Sequence, residues 1–288
     1  MIESQALLPY AHELRIAVDL ARAAGEMILN YYEGPLYIEQ KQALQALEPV
    51  TQADRAANDL IVRAIAQEFP DDGILAEESI DTDRRLTKQR VWMIDPLDGT
   101  NGFIDGNGDF AVQIGLAQDG TAVLGVVYQP LSEVLYRAVQ EQGSWLERPG
   151  AEPQRMHVSG QNEFSLMCLA ASRSHRSPRM DRVVKALGVR QEIQRGSVGV
   201  KVGLIVEQRC DLYVHLSPRT KQWDTCAPQI VLREAGGRFS DLFGGEIEYN
   251  LPNVQHANGI VASNGAAHAQ VIELLAPLLS EFGRVPAS

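Results

Sequence analysis

The stretch "DFAVQIGLAQDGTAVLGVVY", residues 109 to 128, constrains the architecture more than any other. Its two halves alternate with a period of two, the mark of strands with one buried face. Asp119-Gly120 between them suits the positive φ angles of a two-residue hairpin turn. "EVLYRAV" (133–139) and "GSWLE" (143–147) extend the hairpin into an antiparallel sheet. A sheet of this kind must be covered on its apolar face, and helices stand ready upstream. Leu7, Ala11, Leu14, Val18, Ala21, Ile28 and Tyr31 recur at helical spacing and predict a helix over 4–32, stopped by Gly34-Pro35. A second helix is predicted from Asp54 to Phe69. Between them the polar "IEQKQALQALEPV" reads as a mobile loop, with 36–48 a candidate cover for a site.

The Pro/Gly content of "RPGAEPQ" marks the expected boundary between lobes 1–150 and 151–288. Beyond it strands alternate with helices. "SLMCLAAS", "CDLYVHL" and "GIVASN" read as strands. Residues 178–187 and 197–208 read as helices, the latter capped by Ser197. Asp224–Ala235 reads as a helix with Asp224 at its N-cap and Gly236-Gly237 closing it. A last helix carries Val271, Leu274, Leu275, Leu278 and Phe282. The expected class is α/β in layers.

Composition narrows the function by exclusion. The formal net charge of −11 and the lack of a basic stripe argue against a nucleic acid polymer as partner. They leave room for a small anion, because bound cations invert the local field. Three widely spaced cysteines, Cys168, Cys210 and Cys226, form neither a zinc pattern nor a disulfide framework and fit reduced thiols. "MIESQALLPYAHEL" lacks a signal-peptide pattern, and no apolar run is long enough for a bilayer, so a cytoplasmic protein with no membrane partner is expected.

The chemistry concentrates in four acidic clusters: "EPVTQAD" (Asp54), "ILAEES" (Glu77, Glu78), "MIDPLDGT" (Asp95, Asp98) and "KQWDTCAP" (Asp224). Carboxylates beside strand and helix ends either cap helices or hold cations. Pro96 and Gly99 hold Asp95 and Asp98 close, where two ionised carboxylates repel each other. A divalent cation removes that conflict, and oxygen-only ligands favour Mg²⁺, Mn²⁺ or Ca²⁺ over zinc. Gly99-Thr100 opens a predicted helix whose free N–H groups make an anion pocket beside the cation. Cation plus anion pocket points to phosphate-ester chemistry. An aspartyl-phosphate mechanism of the D-x-D-G-T kind is disfavoured, because here the second Asp lies one residue further on and, in an extended segment, points to the other face.

"DPLDGT" followed much later by "WDTCAP", with "PVTQAD" and "AEES" upstream, resembles the ordered motifs of the inositol monophosphatase superfamily of metal-dependent, lithium-sensitive phosphatases. The resemblance spans roughly residues 10 to 265 and implies a five-layer αβαβα sandwich. It implies that Glu77, Asp95 and the carbonyl of Leu97 hold one Mg²⁺, and Asp95, Asp98 and Asp224 a second, with a third, weaker ion near Asp54 and Glu77 and Mn²⁺ as a substitute. Glu77 and Thr100 would orient the attacking water, with Asp54 as base behind Thr100, and the Gly99 and Thr100 amides would receive the phosphate. No covalent intermediate is implied.

"ASRSH", "GSVGVK" and "KQWDTCAP" are most similar to the 3′(2′),5′-bisphosphate nucleotidases, whose substrate is adenosine 3′,5′-bisphosphate. His175, Ser197 and Lys201, with Asn101 after the loop, are the expected substrate contacts. The chain departs from that pattern. Asn101-Gly102 replaces Lys-Glu, Ala76 stands where Gly is common, and Arg219 is only near the expected position of a P-R arginine. Inositol 1-phosphate and fructose 1,6-bisphosphate therefore remain alternative substrates, and a non-catalytic metal- or phosphate-binding protein is the distant alternative. Monomer and homodimer are both open.

Overall fold

The computed structural model describes residues 8–32, 34, 38–43, 46–173 and 177–287. In chain order the elements are α1 (Ala11–Tyr32), β1 (Ile38–Ala43), β2 (Ala46–Thr51), α2 (Gln52–Glu68), β3 (Gly73–Ala76), β4 (Arg90–Asp98), α3 (Thr100–Ile104), β5 (Ala111–Gln118) and β6 (Thr121–Gln129). There follow β7 (Val134–Val139), β8 (Gly143–Glu147), β9 (Gln154–Met156), β10 (Cys168–Ser172), α4 (Pro178–Leu187), β11 (Gln191–Arg195), α5 (Val198–Val206), β12 (Leu212–His215), α6 (Gln222–Glu234), β13 (Arg238–Ser240), β14 (Ile260–Ser263) and α7 (His268–Glu281).

The strands make a seven-stranded sheet, β3-β4-β5-β6-β7-β8-β9, and a five-stranded sheet, β11-β10-β12-β14-β13. The first is antiparallel except for the β3–β4 pair. In the second, β11, β10 and β12 run parallel, and β14 opposes β12 and β13. Alternation along single strands shows the layers directly. Trp92 and Ile94 pack with Ala17, Ala21 and Ile28 of α1 and Ile61 and Ile65 of α2. Their neighbours Val91 and Met93 face the other way, into a core shared with α5, α6 and one face of the second sheet. On that sheet Tyr213 belongs to this central core, whereas Leu212 and Val214 pack against α4 and α7. The layers are thus helix, sheet, helix, sheet, helix, the αβαβα sandwich expected. The first sheet continues through β9 to Met156, and the central core draws on residues from both halves of the chain.

The middle layer depends on two glycines. A Cβ on Gly115 would lie 2.7 Å from the Cys226 sulfur, and one on Gly125 would lie 2.6 Å from the Ala227 carbonyl. Their absence lets α6 lie directly on β5 and β6 and brings its N-terminus, with Asp224, over the end of the first sheet.

Three expectations need correction. The 36–48 stretch is not a loop where described: β1 and β2 pair antiparallel, from Ile38↔Thr51 to Ala43↔Ala46, as a separate two-stranded ribbon. The stretch is polar and Gln-rich with no period-two run of apolar residues, so its strands leave no signal in the sequence. The first helix begins at Ala11, after Tyr10 at φ 59°; residues 4–7 of the expected span lie outside those described. Asp224 is not the N-cap of its helix. Lys221 is, and Asp224 sits three residues in, accepting from the Lys221 backbone N–H at 2.8 Å. Two short strands, β11 and β13, carry too little alternation to be read from sequence.

Candidate active site

The "DPLDGT" segment is a bulged strand end rather than a free turn. Asp95 pairs with Gln113 of β5, but Asp98 pairs with Ala111, so β4 holds one extra residue between them. In a regular strand residues three apart point to opposite faces; the bulge restores a common face. Leu97 turns into the outer core beside Ile94, while Asp98 meets Ser197 and Gly199 of the middle layer. Gly99 follows at φ +100°, and a Cβ there would lie 2.3 Å from the Asp109 carbonyl, so only glycine fits. The helix it opens, α3, is short.

Asp54 arrives from α2. Thr51 caps that helix and also donates to Asp54 Oδ2 from its backbone (2.8 Å) and its hydroxyl (2.5 Å). The other oxygen, Oδ1, accepts from the Thr100 hydroxyl at 3.2 Å, which also lies 3.3 Å from the Leu97 carbonyl. Asp95 accepts from the Leu97 N–H at 3.0 Å. Glu77 follows β3, held by its N–H to the Ile94 carbonyl, with the Lys221 ammonium 4.0 Å from its carboxylate.

Electrostatics tie these groups together. Burial, then Glu77, Asp98 and Asp224, holds the Asp95 carboxyl well above the usual carboxylate range. Asp224 is pushed up to about 8 by burial and then by Glu77 and Asp98, against the opposing pull of Lys221. Asp98 is raised by burial, though Ser197, Lys201 and Gly199 offset part of it. Asp54 is raised by burial, with Thr51 opposing. Several carboxylates therefore press on one another at a place where water cannot screen them, and positive charge from outside the chain would relieve all of them at once.

The donor set is oxygen only, which fits a hard divalent cation. Among the described residues no three Asp, Glu, His or Cys side chains already stand as a group that could hold a metal ion. The carboxylates are in electrostatic reach of one another without forming a closed shell.

Asp54, Glu77, Asp95, Leu97, Asp98, Thr100 and Asp224, scattered over 171 positions of sequence (54 to 224, inclusive), thus meet where the two sheets face each other. Ser197 and Lys201 join them, but their contacts are internal. Ser197 is fully buried and donates to Asp98, and Lys201, 2% exposed, donates to the Gly196 carbonyl at 2.9 Å and lies over Tyr213. Burial lowers the Lys201 ammonium to about 8, against the pull of Asp98, Asp109 and Asp224. Asn101 is exposed at the rim. His175 lies outside the described residues.

Sequence reasoning missed Gln113, whose amide donates to Asp98, and Asp109, whose carboxylate pairs with Arg173 (2.6 Å) and Arg195 (3.4 Å) beside Gly99. Gln113 occupies one core-facing position of an alternating strand, a polar residue among apolar ones, and that break in pattern was the available signal. A cavity of about 430 Å³ opens at the carboxyl ends of β10 and β12, lined among others by Ser172, Arg179, His215, Ser217 and Arg219. Crevices beyond the carboxyl ends of parallel strands are where α/β sheets take ligands.

Known proteins share this arrangement. The sequence pattern of the Inositol monophosphatase family matches residues 10–280. The 3′(2′),5′-bisphosphate nucleotidase CysQ of Salmonella typhimurium is 35% identical over 231 residues, covering 80% of this chain and 91% of its own. The fructose-1,6-bisphosphatase/inositol-1-monophosphatase of Thermotoga maritima is 29% identical over 278 residues, 94% of this chain and 98% of its own. Among solved structures, CysQ from Bacteroides thetaiotaomicron superimposes with a TM-score of 0.74 at 31% identity, over 89% of this chain and 98% of that one. No helix among the described residues is long and apolar enough to cross a membrane. The chain belongs to the inositol monophosphatase family of metal-dependent enzymes and is a phosphatase, a hydrolase of phosphate monoesters.

Proposed function

We propose that this chain is a Mg²⁺-dependent phosphomonoesterase that removes the 3′-phosphate of adenosine 3′,5′-bisphosphate, releasing AMP and phosphate. The observation that carries the reading is Asp95: a buried carboxylate with one backbone donor, surrounded by Glu77, Asp98 and Asp224. In this reading Glu77, Asp95 and the Leu97 carbonyl hold one ion and Asp95, Asp98 and Asp224 another. Held there, Mg²⁺ would supply neutralising charge and make a water more acidic, so no covalent enzyme intermediate would be needed.

The chain's own groups do the rest. Thr100 donates its hydroxyl proton to Asp54, leaving its oxygen free to accept from a water and orient it. Asp54, raised by burial, is suited to take up the proton that the water gives. The backbone N–H groups of Gly99 and Thr100 bind the phosphoryl oxygens while the bond from phosphorus to the ribose 3′-oxygen breaks, and that oxygen leaves as the hydroxyl with a proton from solvent. The same motifs that match the nucleotidases, together with the name of the Salmonella relative, favour a nucleotide bisphosphate. Arg179 and Arg219 in the cavity, with Arg173 and Arg195 nearby, are cationic partners for its second phosphate. Ser197 and Lys201 then serve by supporting Asp98 and the start of α5.

Asn101-Gly102 and the name of the Thermotoga relative support the second reading, an inositol 1-phosphate or fructose 1,6-bisphosphate phosphatase. Phosphate release from the three esters, each with Mg²⁺, separates them. The nucleotide should lead by at least about tenfold in kcat/KM, a gap of roughly 1.4 kcal/mol in transition-state binding. A lead for inositol 1-phosphate overturns the nucleotide reading while leaving the phosphatase intact.

A further inference from the structure

Asp98 is held asymmetrically. Its Oδ2 accepts from three donors: the Gln113 amide, the Ser197 hydroxyl and the Gly199 backbone N–H at 3.0 Å. Its Oδ1 accepts from no described residue. An ionised carboxylate offers about four acceptor positions over its two oxygens, so three donors fill one oxygen completely. We infer that Gln113 and Ser197 are positioning residues that make Asp98 a one-oxygen ligand and thereby bias the site toward Mg²⁺ over Ca²⁺. This rests on the proposed role of Asp98 as a metal ligand.

Three features show that the arrangement is built rather than incidental. Gln113 is fully buried in β5, directly across from Asp95, between Val112 and Ile114 of the outer core. Its Oε1 has no hydrogen-bond partner among the described residues, so the amide pays a stability cost at a core position and obtains one bond in return, to Asp98. Position 199 is packed tightly beside it: a Cβ there would lie 2.7 Å from Val127 Cγ1 and 3.2 Å from the Gln113 Cδ. Gln113, Ser197 and Gly199 thus come from two layers of the fold to saturate one oxygen.

The consequence follows from cation chemistry. Ca²⁺ takes six to eight oxygens at flexible distances and readily uses a carboxylate through both of them, whereas Mg²⁺ demands a small octahedral shell and uses single carboxylate oxygens. An Asp98 whose Oδ2 is already filled offers Ca²⁺ one contact fewer. Mg²⁺ loses nothing.

Gln113→Met removes the donor and nearly conserves the volume, and Ser197→Ala in the same chain leaves Oδ2 with the Gly199 N–H alone, so the double variant reopens an acceptor position. Calorimetric titration of the full chain with Mg²⁺ and, separately, with Ca²⁺ should show Mg²⁺ affinity falling about tenfold, the scale seen when groups that orient a metal ligand are lost. Ca²⁺ affinity should hold or rise, so the preference narrows by roughly the same factor. The Mg²⁺ needed for half-maximal phosphate release should rise in parallel, with the KM for the ester at saturating Mg²⁺ changed less than about twofold, the signature of a metal effect rather than of lost substrate contacts. Unchanged affinities for both ions in a folded variant overturn the inference, as does an equal loss of both. If thermal melting shows the double variant unfolded, Gln113→Leu with Ser197→Gly withdraws the same two donors and is read by the same criteria. Wild-type protein that binds neither ion would instead overturn the metal-site reading itself.

Discussion

Each of the two large sheets buries an aspartate, and they treat it in opposite ways. Asp211 lies where β10 and β12 begin. Its Oδ1 accepts from the Ser159 hydroxyl and, at 3.4 Å, from the Asn264 amide, and its Oδ2 accepts from the Cys168 N–H at 2.9 Å. Its own backbone bonds Cys168 and Asn264, so one residue ties the starts of two strands to the end of β14. Asp95 lies near the end of β4 in the first sheet, with a single donor among the described residues and three carboxylates pressing on it. A buried charge satisfied within the chain is structural. A buried charge surrounded by its own kind is unfinished until something from outside arrives.

That contrast breaks if the two aspartates respond alike to substitution. Asp211→Ala leaves the Ser159 hydroxyl and the Cys168 N–H without this acceptor and should cost about 3 kcal/mol, or roughly 6–12 °C in melting temperature. Turnover per folded molecule should stay within about twofold, since nothing that Asp211 touches reaches the carboxylate cluster. A variant that melts normally but loses turnover would move Asp211 into the site.

The next effect is smaller and depends on pH. Asp224 titrates near 8 in the folded protein and near 4 when unfolded. Between these values the folded state holds a proton that the unfolded state has released. Stability of metal-free protein is therefore fully present below pH 4 and falls as pH rises toward 8. The raised carboxyls of Asp54, Asp95 and Asp98 act in the same direction. Asp224→Asn removes one contributor and should raise the metal-free melting temperature at pH 8 by roughly 4–6 °C, corresponding to about 2 kcal/mol, with little change near pH 4. Melting followed by fluorescence in chelator checks it, and a lower melting temperature at pH 8 would show that Asp224 is paired rather than repelled.

The same contrast explains what was legible in the sequence. The hairpin around Asp119-Gly120, the long helices and the strand leading into Asp95 carry period-two or helical patterns because one face of each is buried. The ribbon β1–β2 is written in a polar, Gln-rich stretch without such a pattern, and so it passed for a loop. The carboxylates were legible as a set, since four acidic clusters flank apolar elements in an order that chance rarely produces. Their geometry was not. The bulge that turns Asp95 and Asp98 to one face is visible only in the register against β5. The internal use of Ser197 and Lys201 depends on how α5 packs beneath Asp98, which no local pattern encodes. Gln113 shows as a break in alternation whose reason lies on another strand.

The most direct test of the central claim, that the carboxylates around Asp95 form a metal-dependent phosphatase site, sets wild type beside Asp95→Asn in one phosphate-release assay, with Mg²⁺ and after chelation. Wild type should release phosphate only with Mg²⁺. Asp95→Asn should lose about a hundredfold or more in kcat, the scale of removing one element of transition-state charge stabilisation, while melting no lower than wild type in chelator. Wild-type turnover that survives chelation, or an Asp95→Asn protein that keeps more than about a tenth of wild-type activity, would contradict the account.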